Sequence, residues 1–172
     1  MISSSAGLHS APARELPADL PLPRASSAPA NFDQFWLFYL GEHQLRWTKR
    51  MHVTGTAIGF VCHVVMLPLT RNLWWFPLGF AVGYFFAWVS HFFLERNQPA
   101  SFRYPYWSFF ADLELFHFML HGTMDTELRR VAASPGGPAP RSHRLRRGLF
   151  HLVVGSYFAL LMLAWGGGVV GS

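Results

Sequence analysis

The side chains best placed for chemistry are a histidine and a glutamate, His91 and Glu95, at the end of a long apolar segment. Residues 84–93 are almost entirely aromatic or aliphatic, and the polar sequence 95–98 follows them. Residues at positions i and i+4 share one face of a helix, and Pro99 disfavours further helix. The pattern therefore predicts that an imidazole and a carboxylate meet where an apolar helix reaches a membrane surface.

Imidazoles beside a carboxylate form a ligand set for a first-row transition metal. Imidazole nitrogen suits Fe, Zn, Cu and Ni, and imidazoles with a carboxylate and open positions are typical of oxygen-activating iron. We predict His43, His52 and His91 as metal ligands, with His91 and Glu95 as the catalytic pair. Glu42 or Glu95 either supplies the carboxylate or orients the histidines from outside. The alternative is that interfacial histidines hydrogen-bond to the backbone and to lipid headgroups.

The composition favours a membrane protein and excludes several other classes. Of 172 residues, 51% are hydrophobic and 13% are charged, whereas soluble domains carry about 25% charged residues. The net charge of +5 is clustered near the ends of apolar segments. A basic face for nucleic acid is therefore not expected. The single cysteine, Cys62, excludes an internal disulfide bond and a cysteine-based metal site.

The pattern of apolar segments predicts an all-α polytopic membrane bundle with about three transmembrane helices and two amphipathic interfacial helices. Residues 104–121 carry Asp112 and Glu114, which are costly at the bilayer centre, so this helix lies on the membrane or re-enters it. The leader is rich in Ala, Pro and Ser and is expected to be disordered. The predicted segments are a leader at 1–30 and one membrane domain at 31–172, which contains an interfacial helix at 31–45, spans at 53–70, 73–94 and 148–170, and the helix at 104–121.

The positive-inside rule sets the expected topology. With three spans, all Arg and Lys residues except Arg71 fall on one side, which places the N-terminus in the cytoplasm. The expected location is a bacterial inner membrane, with the endoplasmic reticulum membrane as the alternative. The same topology brings six histidines to one membrane level: His43, His52, His91, His117, His121 and His151.

Other polar residues have weaker roles. His63 lies ~16 Å beyond His52 along a straight helix, too deep to join the others, and is expected to be a hydrogen-bonded buried histidine. His117 and His121 are four positions apart and could bind a metal together. Five residues could support the metal ligands or contact the substrate: Glu42, Arg50, Arg96, His117 and His121. Basic residues near the site either attract a carboxylate or anchor the helices at the interface: Arg46, Lys49, Arg50, Arg96 and Arg103.

Four segments together resemble one family. They are FYLGEH (38–43), KRMHVTGT (49–56), GYFFAWVSHFFLERNQPASFRYP (83–105) and WSFFAD (107–112). In these segments the chain resembles the 2-hydroxy fatty acid dioxygenase-like membrane proteins, over roughly residues 32–122. The most specific part runs from His91 through Glu95 to Ala100.

The resemblance implies Fe(II)- and O2-dependent α-oxidation, in which a 2-hydroxy fatty acid is shortened by one carbon. The histidines of the family match His43, His52 and His91, and its motif includes Glu95. The implied partners are the fatty acid, O2 and the lipid bilayer, and the implied cofactor is Fe(II). The fatty acid tail would lie between helices, with its carboxylate and 2-hydroxyl at the headgroup level, where a metal both orients substrate and activates oxygen.

Two other functions are weighed against the histidine pattern. A dinuclear iron desaturase or hydroxylase requires histidine-rich HxxHH-type motifs, and this sequence has none. A non-enzymatic membrane scaffold or haem-binding protein would pair histidines across helices, and His63 would need a histidine partner at similar depth. An absorption band in the visible region would favour the haem-binding alternative.

Overall fold

The computed structural model describes residue 22, residues 28–135, residues 137 and 139, and residues 141–169. Across these residues the regular secondary structure is helical, as the sequence predicts. The predicted leader, 1–30, falls almost entirely outside the described residues. The α-helices are α1 (Phe32–Glu42), α2 (Arg46–Phe60), α3 (Leu67–Thr70), α4 (Trp75–Val89), α5 (Pro105–Leu120), α6 (Met124–Ala133) and α7 (Arg141–Val169).

Among the described residues, two continuous helices are long and apolar enough to cross a membrane: Arg46–Thr70, with 25 residues, and Trp75–Glu95, with 21. Only 28% and 22% of their most apolar windows are buried, whereas the core helix of a soluble protein is mostly buried. Their outward faces therefore suit a lipid environment. The predicted third span, 148–170, falls within α7 and its last residue lies beyond the described part; that it spans a membrane stays a prediction.

Each of these two helices contains a π-helical segment: Val61–Met66, which is followed by α3, and Ser90–Glu95, which ends its helix. A left-handed arginine then terminates each helix, Arg71 at φ 51° and Arg96 at φ 54°. A π-turn adds a residue to the turn and re-aims the side chains it carries, and such turns are frequent at functional sites. Each π-helical segment here carries a buried histidine.

Glycines allow α2 and α4 to approach closely. Gly55 and Gly59 on α2 face Gly83 and Gly79 on α4. A Cβ atom at Gly55 would lie 3.1 Å from the carbonyl oxygen of Gly83, and one at Gly59 would lie 3.1 Å from that of Gly79. Both pairs have the small-xxx-small spacing that lets membrane helices bring their backbones together. This contact fixes the two histidine-bearing helices relative to each other.

The protein core lies around α1 and not between the two apolar helices. Asn31 caps α1 by accepting a hydrogen bond from the backbone N–H of Gln34 at 3.0 Å. The apolar face that the sequence assigns to a membrane surface packs against α5 and α6. Its position relative to a bilayer stays a prediction. The buried core residues of these helices are Phe35, Trp36, Tyr39, Leu40, Ala111, Leu115, Phe118, Met124 and Val131.

A partly buried arginine attaches α7 to the rest of the protein. Arg147 donates from Nη1 to Asp33 Oδ1 at 2.7 Å and from Nη2 to Glu114 Oε1 at 3.0 Å. The positive-inside rule counts Arg147 among the basic residues that set topology, and in the structure it has two partly buried acidic partners on α1 and α5. The polar segment that precedes α7 contains the helix α6.

Candidate metal centre

Three histidines from three elements meet inside the protein. His43 directly follows α1, His52 lies in the second turn of α2, and His91 lies in the π-helical segment Ser90–Glu95. Their exposed fractions are 0%, 4% and 1%. The Nε2 atom of His43 lies 3.1 Å from that of His52 and 3.1 Å from that of His91. The sequence predicts these three residues as ligands, and the structure brings them together.

The opposite ring nitrogen of His43 and of His52 is held by an oxygen. His43 donates from Nδ1 to the backbone carbonyl of Tyr39 at 2.5 Å. His52 donates from Nδ1 to Asp112 Oδ1 at 2.7 Å, and the Tyr39 hydroxyl donates to the same oxygen at 2.5 Å. Because these oxygens accept, the Nδ1 atoms carry the protons, and the lone pairs of both rings are on Nε2.

The third ring is oriented by an amide. His91 donates from Nδ1 to Asn97 Oδ1 at 2.8 Å. The amide nitrogen of Asn97 donates to the backbone carbonyl of Glu42 at 3.0 Å and to its carboxylate at 2.6 Å. These acceptors fix the amide so that its oxygen faces the histidine. Glu42 therefore acts on His91 through Asn97, and the Nε2 lone pair of His91 also points toward the cluster.

This arrangement fits a metal cation. Three neutral imidazoles direct lone pairs at one another, and nitrogen lone pairs 3.1 Å apart repel unless a positive charge lies between them. With a metal–nitrogen distance of ~2.1 Å, two imidazole nitrogens at right angles lie ~3.0 Å apart. In the described part of the chain, His43, His52 and His91 form the group of metal-ligating side chains whose donor atoms lie within 4.8 Å of one another.

The surroundings keep His43 neutral and Tyr39 protonated. Burial lowers the pKa of His43 well below its usual value, and the neighbouring His52 and His91 lower it further. Burial raises the pKa of Tyr39 well above its usual value, and the carboxylate of Asp112 raises it further. A neutral imidazole is the form that binds a metal, and a protonated phenol is the form that donates to Asp112.

Glu95 lies beside the cluster and holds a helix end. Its Oε1 atom accepts a hydrogen bond from the backbone N–H of Leu45 at 2.8 Å. Leu45 is the N-cap residue of α2, so the carboxylate faces the positive end of that helix. Glu95 therefore connects the segment carrying His91 to the helix carrying His52. The catalytic role predicted for Glu95 stays a prediction.

Comparison with known proteins gives one match. A family model described as 2-hydroxy-palmitic acid dioxygenase Mpo1-like matches residues 29–124, more than half of the chain. The chain belongs to the Mpo1-like family. Curated proteins and solved structures gave no match. The resemblance found in the sequence is confirmed, and the Mpo1-like region contains all three clustered histidines but ends before α7.

Three residues around the Mpo1-like histidines are not predicted as site residues from the sequence: Tyr39, Asn97 and Asp112. Asp112 appears in the sequence only as a charge that excludes helix 104–121 from the bilayer centre. A carboxylate within an apolar helix is itself a signal of function, and here its partner is His52, 60 positions away. Asn97 lies within the motif after His91, where only its polarity is visible.

The other predicted histidines lie outside the cluster. The rings of His117 and His121 are 4.2 Å apart, and His121 Nδ1 lies 2.8 Å from the backbone carbonyl of His117. His151 lies against Phe110, with ring centroids 3.9 Å apart. Of the six histidines predicted to share one membrane level, three therefore meet in the cluster and three lie outside it.

The two arginines named as candidate substrate residues are exposed. The guanidinium of Arg50 lies 4.9 Å from the ring centroid of Trp47. Arg96 occupies the left-handed position that ends the π-helical segment. Neither belongs to the histidine cluster, and their predicted role toward a substrate carboxylate stays a prediction.

Proposed function

We propose that this protein is an iron(II)-dependent dioxygenase that shortens 2-hydroxy fatty acids by one carbon. The observation that carries the proposal is the convergence of three buried imidazole Nε2 atoms, each with its Nδ1 atom held by an oxygen acceptor. The family description supports the substrate class and the reaction type. Three neutral histidines suit several first-row metals, and iron is the one that fits the chemistry of a dioxygenase.

The residues divide into ligands and residues that orient them. His43, His52 and His91 would hold the iron. Bound iron would supply the redox chemistry that lets O2 react with a 2-hydroxy acid. Asp112 and Asn97 fix the tautomer and the orientation of the rings of His52 and His91, as is general for partners of metal-bound histidines.

We assign Glu95 to the proposed active site, next to His91. Its carboxylate holds the start of α2 next to the segment that carries His91, and this contact keeps two ligand-bearing helices in register. The predicted catalytic role of Glu95 would require the carboxylate to leave Leu45. Measuring the metal affinity of Glu95→Gln together with its kcat and KM distinguishes these roles. Loss of a positioning residue lowers metal affinity, whereas loss of a catalytic residue lowers kcat and leaves metal affinity unchanged.

The proposed setting is a bacterial inner membrane, with the histidine cluster on the cytoplasmic side. Support comes from two helices long and apolar enough to span a bilayer and from their largely unburied apolar faces. A fatty acid in the bilayer would reach the site with its tail in the hydrocarbon and its carboxylate at the surface, where Arg50 and Arg96 are exposed.

The haem-binding alternative is disfavoured by the bonding of His63. Its Nε2 atom donates to the backbone carbonyl of Phe76 at 2.8 Å, so that nitrogen is engaged in a backbone hydrogen bond. No partner histidine at its depth is present among the described residues of α4 and α7. The non-enzymatic scaffold remains as the outcome of a negative metal analysis.

The test is elemental analysis of protein purified in detergent and loaded anaerobically with iron, followed by O2 uptake with 2-hydroxypalmitate. Wild type is compared with His91→Ala and with His151→Phe. His151 is a matched control because its ring lies against Phe110 and outside the cluster. We expect near-stoichiometric iron and turnover in wild type and in His151→Phe, and neither in His91→Ala.

Three results would contradict the proposal. Wild type without a transition metal after iron loading would leave the scaffold function. Undiminished O2 uptake in His91→Ala, with the same product, would mean that the three-histidine site does not carry the reaction. Stoichiometric zinc in place of iron would point to hydrolytic chemistry, since three histidines and an open position also suit catalytic zinc.

A further inference from the structure

A cavity of about 310 Å³ lies where α2, α4, α5 and α7 meet. This volume is within the ~300–1,000 Å³ range of small-molecule sites. Each helix contributes one face to its wall, and most of the wall is apolar. On α7 the contribution is Phe150, Val153, Val154, Tyr157 and Phe158, with the spacing of a single helix face.

One end of the cavity adjoins the histidine cluster. A much smaller chamber, of about 10 Å³, is lined by His43, His52 and His91. His52, Tyr84 and Asp112 line both this chamber and the large cavity. The polar end of the cavity is therefore the metal centre itself, and a ligand could have its polar end at the histidines and its apolar part in the cavity.

The cavity follows one face of the helix that begins with α2. His52, Thr56, Gly59 and His63 line it in turn. Eleven residues of straight helix cover ~16 Å, so the cavity is elongated and narrow along the direction of α2. An elongated apolar cavity with a polar group at one end suits a single unbranched acyl chain with a carboxylic acid head.

A histidine that is held in place lines the far end of the cavity. The ring of His63 lies with its centroid 5.5 Å from that of Phe76 and 5.4 Å from that of Phe158. Its Nε2 atom donates to the Phe76 carbonyl at 2.8 Å, and the Tyr157 hydroxyl donates to the His63 carbonyl at 2.6 Å. Both the side chain and the backbone of His63 are therefore held in place.

We propose that this cavity binds the acyl chain and that His63, Tyr157 and Phe158 form a stop that selects chain length. The inference rests on the proposed function for the identity of the acid head group. Two of the three stop residues are on α7, which lies outside the region matched by the family. The selected chain length is thus a property of this chain's own C-terminal helix.

Two substitutions on α7 move the stop in opposite directions. Phe158→Ala removes a ring from the far end and lengthens the cavity. Val154→Phe adds a ring one turn closer to the histidine cluster and shortens it. Leu160→Ala is the matched control, because Leu160 is on the same helix, is 65% exposed and does not line the cavity.

The experiment measures equilibrium binding of 2-hydroxylaurate, 2-hydroxymyristate, 2-hydroxypalmitate and 2-hydroxystearate to the full chain loaded with Fe(II). Anaerobic conditions prevent turnover, so binding is separated from reaction. One added or lost methylene in an apolar pocket changes discrimination by roughly 10-fold or more. We expect Phe158→Ala to raise the stearate-to-palmitate affinity ratio by at least about 10-fold, and Val154→Phe to lower the palmitate-to-laurate ratio by a similar factor.

The result that overturns the inference is an unchanged chain-length profile in both variants while they bind the acids as tightly as wild type. Binding of none of the acids by wild type overturns it as well. A shifted profile in protein that never consumes O2 supports the cavity and removes the proposed reaction, so the two failures are distinguishable.

A second measurement on wild type does not depend on how the variants fold. A 2-hydroxypalmitate analogue with a diazirine at its methyl end is photolysed in the complex. We expect the label on the peptides that contain His63 and Phe158. A label confined to the exposed outer faces of α2 and α7 contradicts the proposed chain position.

Discussion

The two π-helical segments of this molecule resemble each other in sequence position and differ in what their histidines do. Ser90–Glu95 ends its apolar helix, and Val61–Met66 lies one turn before the end of the other; each is followed within a few residues by an arginine in the left-handed region. Each carries one buried histidine, His63 or His91. Local structure is thus nearly the same at the two places.

The difference lies in which ring nitrogen is bonded and what the other one faces. His63 uses Nε2 to reach the backbone carbonyl of Phe76, and aromatic rings surround it. His91 uses Nδ1 to reach Asn97, and its Nε2 faces His43. A buried histidine becomes a candidate ligand when its Nδ1 proton is held from behind and other lone pairs converge in front.

The largest difference between the two histidines is expected when each is replaced by alanine. His91→Ala removes one of three converging donors, and we expect metal affinity to fall by more than the ~10–100-fold typical of losing an outer partner. His63→Ala leaves all three donors in place, so its metal content should equal that of wild type. Metal titration of both purified variants checks this, and equal losses would show that the two histidines belong to one site.

The residue behind the ring gives the next test. Asn97→Leu keeps a similar volume but leaves the Nδ1–H of His91 without its acceptor, and we expect a ~10–100-fold loss of metal affinity. Gln98→Leu, at the exposed neighbouring position, is the control. Competition with a chromophoric chelator measures both. Wild-type affinity in Asn97→Leu would mean that Asn97 does not orient His91.

The sequence predicts the helices well because their apolar patterns are long. The sequence predicts a helix over residues 104–121, and α5 is Pro105–Leu120. It also predicts a span over 73–94, and the helix there is Trp75–Glu95. The π-turns could not be predicted in this way. Whether a carbonyl bonds within the helix or elsewhere depends on a tertiary partner, as with Tyr157 and the His63 carbonyl.

For the site, spacing and topology predict the three histidines but not the residues behind them. His91 and Glu95 are visible together because one helical turn separates them. Asp112 is 60 positions from His52, and Tyr39 meets Asp112 only through the packing of α1 on α5. Such pairs arise from three-dimensional contact, so a single sequence shows the charged residue but not the residue that it contacts.

A smaller effect is expected where α4 leaves room for His63. A Cβ atom at Gly79 would lie 2.5 Å from Cε1 of the His63 ring. Gly79→Ala must displace a ring that is hydrogen-bonded and closely packed, and overpacking of this kind costs ~1–3 kcal/mol. Thermal unfolding in detergent should show the loss, with metal binding retained. Gly155→Ala on α7, where nothing lies within 4 Å, should instead be neutral or stabilising by up to ~1 kcal/mol.

The smallest effect concerns the hydroxyl that stabilises the first π-turn. Tyr157→Phe keeps the ring but removes the O–H that donates to the His63 carbonyl at 2.6 Å. Loss of one such hydrogen bond costs ~0.5–1.5 kcal/mol, so the unfolding midpoint should fall slightly while the metal stays bound. Hydrogen exchange should rise around residues 61–66 and stay unchanged around residues 90–95, whose turn has no bond to Tyr157. Equal increases in both segments would mean that the two π-turns are coupled through the α2–α4 contact and do not depend on separate tertiary partners.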